Sequence, residues 1–205
     1  MAIIESTIDR QSESFQTQRR QMLALIGNFR DLEGRVRDTS NALESRFRER
    51  KQLLPRERVA LLLDRGSPWL ELSTLAGYRM HDDDGEKNVL GGALITGIGI
   101  VAGIRCMVIA SDSAIKGGTI TPMGMRKSLR AEAIALENRL PVVRLVESGG
   151  ANLMHVGEVF IEGGRGFANQ ARLSAAGIPQ VTVMHGHSTA GGAYLPGMSD
   201  YVIMV

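Results

Sequence analysis

The sequence is poor in several things that would each have pointed to a function. Cysteine occurs once, at Cys106, so no internal disulfide can form, which fits a reducing compartment. Cys106 lies inside an apolar run with no base beside it. It reads as a small buried hydrophobe rather than a nucleophile. Aromatic residues make up 4% of the chain, so the core must be aliphatic. The net charge is only +2, which gives no charge-driven reason for a nucleic-acid or membrane partner. No apolar run approaches the length of a membrane span. Residues 1–5 and the following Asp9 and Glu13 bring acid early. That argues against an acid-poor transit peptide and against a secretory signal, and leaves the cytoplasm as the expected location.

What the chain does have is glycine, 24 in 205 residues. Two glycine turns are the most informative. They are Glu147-Ser148-Gly149-Gly150-Ala151-Asn152 and Ser188-Thr189-Ala190-Gly191-Gly192-Ala193. Each follows an apolar, β-branched run, over 140–146 and 178–184. Without a Cβ, such turns let a ligand approach bare backbone N–H groups. In an open α/β sheet both fall at the carboxyl ends of strands, where ligands sit. Two turns aimed at one point would form an oxyanion hole for a carbonyl gaining negative charge.

The order of elements is mixed α/β. Apolar residues at helical spacing predict a helix over 8–52, with Gly27 and Gly34 as breaks and Pro55 as its end. A short helix follows over 56–63. The compact domain is expected to begin near Trp69, giving a helical arm over 1–66 and a domain over 67–205. His81-Asp82-Asp83-Asp84-Gly85-Glu86 lacks calcium-loop spacing and reads as a solvated acidic loop. Residues 93–100 and 104–110 read as a hairpin, with glycines 91, 92, 97, 99 and 103 suited to close packing or bulges. Thr121 and Pro122 form an N-cap and first helical residue. The helix they start should bury Met125, Leu129, Ala133 and Leu136. A further helix is expected over 166–176. Strands alternating with helices argue a parallel or mixed sheet.

The motifs, taken together, carry a resemblance. Gly91-Gly-Ala-Leu-Ile-Thr-Gly-Ile-Gly99, Lys116-Gly117-Gly118-Thr119, Ser148-Gly-Gly-Ala-Asn-Leu153, Asn169-Gln-Ala-Arg-Leu-Ser-Ala-Ala-Gly-Ile-Pro-Gln180 and Thr189-Ala-Gly-Gly-Ala-Tyr-Leu-Pro-Gly-Met-Ser-Asp200 occur in one order. So does Lys127-Ser-Leu-Arg130-Ala-Glu in the helix after Thr121. With these, residues 20–205 resemble the carboxyltransferase (β) subunits of biotin-dependent acyl-CoA carboxylases. The resemblance implies a crotonase-like fold, built twice in the family, of which this chain matches the N-terminal half. It implies that acyl-CoA binds this half and that carboxybiotin docks on the C-terminal half of a neighbouring subunit. Biotin would be carried by a partner α subunit, which also uses ATP and bicarbonate, and the β subunits would form a homo-oligomer, a hexamer. No metal is implied.

Mapped by motif, Gly149, Gly150 and Ala151 become the candidates for the thioester oxyanion hole. Ala190, Gly191 and Gly192 would shape the pocket. Lys116, with Gly117 and Gly118, is the candidate for CoA, ahead of Arg126, Lys127 and Arg130. In methylcrotonyl-CoA carboxylases a bulky Phe precedes a Gly-Arg pair that corresponds to Gly164-Arg165. Here that slot is Gly163, which leaves room for a longer acyl chain and resembles geranyl-CoA carboxylase. The carboxylated carbon would be the methyl group conjugated to the thioester. Two alternatives stay open. One is a crotonase-type hydratase or isomerase using Glu147 and Glu158 as acid and base. The other is an assembly module whose helical arm is its main purpose. His185 and His187 read as a pocket wall or satisfied loop residues, and His81 and His155 suggest nothing further.

Overall fold

The computed structural model describes residues 6–205. Residues 1–5, on which part of the leader argument rests, lie outside them. The first helix, α1 (Glu13–Asn41), starts where Ser12 Oγ accepts the Phe15 N–H at 3.3 Å. Gly27 and Gly34 do not break it. A side chain at either would meet nothing within 4 Å, so each costs the helix only about 1 kcal/mol of propensity. The break comes instead after Asn41, before α2 (Glu44–Glu49). Pro55 opens α3 (Pro55–Leu62) rather than closing the region before it, because a proline at the first helical position gives up an N–H that had no partner anyway.

One six-stranded sheet forms the body: β1 (Leu70–Leu72), β2 (Leu94–Val101), β3 (Ile104–Ser111), β4 (Val142–Ser148), β5 (Gln180–Ser188) and β6 (Tyr201–Met204), in sequence order. The pairs β1–β2 and β2–β3 are antiparallel, and β3 through β6 run parallel. Parallel neighbours need crossovers. They are supplied by α4 (Pro122–Asn138) and α5 (Val156–Ala175), and by the short α6 (Tyr194–Gly197) before β6. The β2–β3 hairpin turns at Ala102 and Gly103, both with positive φ. The Asp64 carboxylate accepts both of their N–H groups, at 2.8 and 2.7 Å.

Alternation along the strands sorts the core. Met107, Ile109 and Val142 pack with Ala131 and Ala135 of α4 and Leu173 of α5. Ala110 and Leu145 point the other way, onto Val59 of α3, Ile95 and Trp69. Each of the buried Val, Leu, Ile and Met side chains among them contributes roughly 1.5–3 kcal/mol. The Trp69 ring lies across Gly97, where any side chain would strike it, and reaches Gly99, where a side chain would strike Leu63 first.

The expected boundary at residue 66 is not a packing boundary. Phe47 and Leu54 pack against Ala114, and the Ser40 hydroxyl donates to buried Asp112 at 3.0 Å. Only the earlier part of α1 stands off, exposing Met22, Leu23, Leu25, Ile26 and Phe29. The buried face of α4 also differs from expectation. Leu129 is buried, but so are Lys127 and Glu132, while Met125, Ala133 and Leu136 are half-buried.

Candidate active site

Both glycine turns open onto one cavity of about 650 Å³, lined on several sides by apolar groups. That volume falls in the range of roughly 300–1,000 Å³ usual for small-molecule sites. Gly118 and Thr119, Ser148 and Ala151, and Ala190 and Gly191 stand on its border. The walls are Met125 and Ser128 of α4 and Val159, Phe160, Gly163, Gly164, Gly166 and Phe167 of α5.

The N–H inventory of the turns separates their residues. Gly149 donates to the Gly118 carbonyl at 3.2 Å, and Gly150 to Ser148 Oγ at 3.2 Å. Neither lines the cavity. Ala151 does, and its neighbours carry the bridge to Ile120: the Ile120 N–H donates to Gly150 and the Asn152 N–H to Ile120. In the second turn, residues Ala190–Ala193 form a 3₁₀ turn whose first internal bond is from Gly192 to Thr189. The N–H groups of Ala190 and Gly191 precede that bond, as unpaired donors do at a helix start. Gly192 is buried behind them, because a Cβ there would lie 2.7 Å from Ser148 Oγ. Gly118 has the same cause: a Cβ would collide with the Glu147 carbonyl.

Several expectations change here. Lys116 does not line the cavity. Its ammonium is held by Asp82, which also lies 3.5 Å from the Asn152 side-chain amide. Lys116 and, more weakly, His155 and Asn152 hold the Asp82 carboxyl below its usual range. Gly117 borders open space. Lys127, considered for CoA phosphates, is buried and donates to the Gly91 and Leu94 carbonyls at 3.0 and 2.6 Å. Burial pushes its amine down to about 8. Arg126 is turned to Glu158 and Glu162 instead.

Gly163 lies inside a helix rather than in a loop, because α5 begins ten residues before the expected 166. Its missing side chain would sit 3.9 Å from Met125 Cε, across the cavity wall. Gly164 would meet nothing within 4 Å.

The His185 side chain is 4% exposed and lies 3.6 Å from Glu147, but neither ring nitrogen has a hydrogen-bond partner. The expectation of a satisfied loop histidine does not hold. Burial, then the charge of Arg58, pushes its imidazolium down. The cause of this placement is a register shift between the Val146–Met184 and Ser148–Ser188 pairs, which turns the His185-Gly186-His187 stretch out of regular pairing. Neither His185 nor the exposed His187 lines the cavity. Nor do Glu147 and Glu158, the carboxylates that a hydratase would need. Glu147 packs on Gly186, and Glu158 faces His81 and Arg126.

Sequence reasoning missed the ion pair at the cavity's border. Arg144 Nη2 and Glu132 Oε1 are 3.1 Å apart, at 1% and 2% exposure. Arg144 also donates to Gln180, and Glu132 accepts from Asn169 of α5 at 3.2 Å. The pair ties β4 to α4 and α5. Burial pushes the Glu132 carboxyl up against the pull of Arg144. Its signal in the sequence was slight: Arg144 lies two residues after Val142 on β4 and so shares its helix-facing side.

Comparison with known proteins agrees with this geometry. Residues 46–205 match the family model of the carboxyl transferase domain, and the chain belongs to that family. Among solved structures, the β subunit of geranyl-CoA carboxylase from P. aeruginosa superposes with a TM-score of 0.89 at 59% identity, over 97% of this chain and 37% of that one. A probable methylcrotonoyl-CoA carboxylase β chain of Drosophila melanogaster is 45% identical over 99% of this chain and 35% of its own length. The transcarboxylase 12S subunit, at 24% identity and a TM-score of 0.75, shares the fold. The crotonase-like α/β fold expected from the motifs is thus the fold observed. The chain spans little more than a third of the length of these relatives.

Proposed function

We propose that this chain is the acyl-CoA-binding part of a biotin-dependent carboxyltransferase whose acyl group is long and branched, as in geranyl-CoA. The observation that carries this reading is the cavity itself. It runs from the two glycine turns to a wall of α5 from which Gly163, Gly164 and Gly166 remove side chains. A short acyl group such as methylcrotonyl would leave that room unfilled and forfeit its contacts.

The chain's own contribution is to hold and polarise the thioester. When the conjugated methyl group loses its proton, negative charge passes through the double bond to the thioester oxygen. Ala151, Ala190 and Gly191 border the cavity, and their N–H groups are the candidates to receive it; Gly149 and Gly150 support the turn through their own hydrogen bonds. One such donor is typically worth about 10²–10³ in rate. Lys116, freed from Asp82, would be the cation for CoA phosphate. Biotin, on a partner α subunit that uses ATP and bicarbonate, would supply the CO₂ and the base. No residue of this chain is assigned to it. The exposed apolar residues of α1 support a homo-oligomer. Among the described residues no helix is long and apolar enough to cross a membrane.

The test is turnover of geranyl-CoA and methylcrotonyl-CoA by the full-length subunit with its biotin-carrying partner. Geranyl-CoA is expected to be the better substrate. Equal or better turnover of methylcrotonyl-CoA rejects the chain-length reading. Hydration of an enoyl-CoA without biotin, with no carboxylation of either, rejects the carboxyltransferase reading.

A further inference from the structure

Three side chains of metal-ligand type meet outside the cavity. His81 comes from the segment between β1 and β2, His155 is the residue before α5, and Glu158 lies in the first turn of α5. Their donor atoms all lie within 4.8 Å of one another. His81 Nε2 and Glu158 Oε1 are 3.3 Å apart, although 77 residues separate them in sequence. The His81 and His155 rings meet edge to face, with centroids 4.7 Å apart.

These distances have a chemical meaning. Two ligand atoms, each about 2.0 Å from a tetrahedral zinc ion, lie about 3.3 Å from each other. The His81–Glu158 separation therefore matches one edge of that tetrahedron already. His155 would need to move inward by no more than about 1.7 Å, which its side-chain torsions allow. Two imidazoles and one carboxylate suit zinc, cobalt or nickel; calcium and magnesium prefer oxygen alone.

We propose that His81, His155 and Glu158 bind one divalent ion of the zinc type, with the remaining position open to water. The proposal does not depend on the carboxyltransferase reading. Its physical role is a clasp. The segment bearing His81 is already tied through Asp82 to Lys116 and Asn152, beside the first glycine turn. An ion would fix the same segment to the start of α5, the helix that walls the cavity. Opposing charges are also present. Arg126 Nη2 lies 3.8 Å from Glu158 Oε2, and a helix start carries partial positive charge. Glu158 and the nearby Asp82 carboxylate counter them.

The experiment uses the full-length subunit in its assembly, stripped with a chelator and titrated with Co²⁺ alone. One equivalent per chain should bind, with visible d–d bands of imidazole-ligated cobalt and a raised unfolding temperature. H81A and H155A should each weaken binding by at least about tenfold, and E158Q should weaken it too. R126Q should tighten it by removing a cation. H187A, at an exposed histidine outside the cluster, should leave it unchanged. The metal-free unfolding temperatures show whether a variant has simply lost its fold, and for any that has, His→Gln at the same position replaces it. Absence of saturable binding overturns the proposal. So does binding that H155A leaves unaltered, which would mean adventitious uptake only.

Discussion

Two sets of glycines in this molecule do opposite things. Gly97 and Gly99 on β2 make room that the chain fills itself, with the ring of Trp69 and, at Gly99, the Leu63 side chain. Gly163, Gly164 and Gly166 on α5 make room that the chain leaves open, with Met125 as the nearest side chain across it. In the sequence Gly97 and Gly99 suggest close packing and Gly163 suggests open room, while Gly164 and Gly166 suggest neither. The difference lies in what a Cβ would meet. On the α3 side of the sheet it collides with the Trp69 ring, the Leu70 carbonyl or Leu63; on the α5 side it stays 3.8 Å or more from Met125 or meets nothing.

The comparison can be broken at either end. The largest effect should come from Gly97→Val. Its side chain would enter space held by Trp69 and the Leu70 carbonyl, so denaturant unfolding should show a loss of about 3 kcal/mol or more. A loss under about 1 kcal/mol would mean that Trp69 can swing away. Gly163→Phe comes next. It should leave the fold intact, lower kcat/KM for geranyl-CoA by about a hundredfold, and spare methylcrotonyl-CoA. That corresponds to about 2.7 kcal/mol of lost transition-state binding. Parallel loss of both activities would show damage to the site as a whole.

A smaller effect concerns the charges buried on the cavity side. The Lys127 amine is pushed down to about 8 from an ordinary 10.5. Between those values the unfolded chain holds a proton that the folded chain has released, so stability should rise with pH from about 8 to 10.5. The gain should be about 2 kcal/mol, within the limit set by the shift. Lys127→Met should flatten that rise in unfolding free energy measured across the interval. The smallest effect is Gly164→Ala. With nothing within 4 Å of the added methyl group, it should stabilise α5 by about 0.5–1 kcal/mol, read as a rise in unfolding temperature. Destabilisation would mean that the open wall is closed in the working assembly.

Much of the fold was legible from the chain because it rests on local signals. Apolar, β-branched runs marked β2 to β5, and Thr121 with Pro122 placed the start of α4 to the residue. The first half of α5 was not legible. Gly157, Gly163, Gly164 and Gly166 argue against a helix one by one, and packing against α4 overrides them. The buried charges were hidden for a similar reason. Lys127 and Glu132 occupy helix positions that read as solvent-facing, and the carbonyls and Arg144 that receive them come from other elements. Within the site, the glycine turns were visible, but which N–H groups stay unpaired depends on Gly118 and Ser148 across the turn. The meeting of His81 with His155 and Glu158 had no local signature at all.

The glycine wall of α5 also sets a direction for change. Its three glycines weaken their helix by about 1 kcal/mol each relative to alanine. Replacing one with alanine therefore tends to strengthen the helix while it narrows the cavity. Drift toward stability and loss of cavity volume run together in this helix. The wide cavity persists only where something holds it open against that drift.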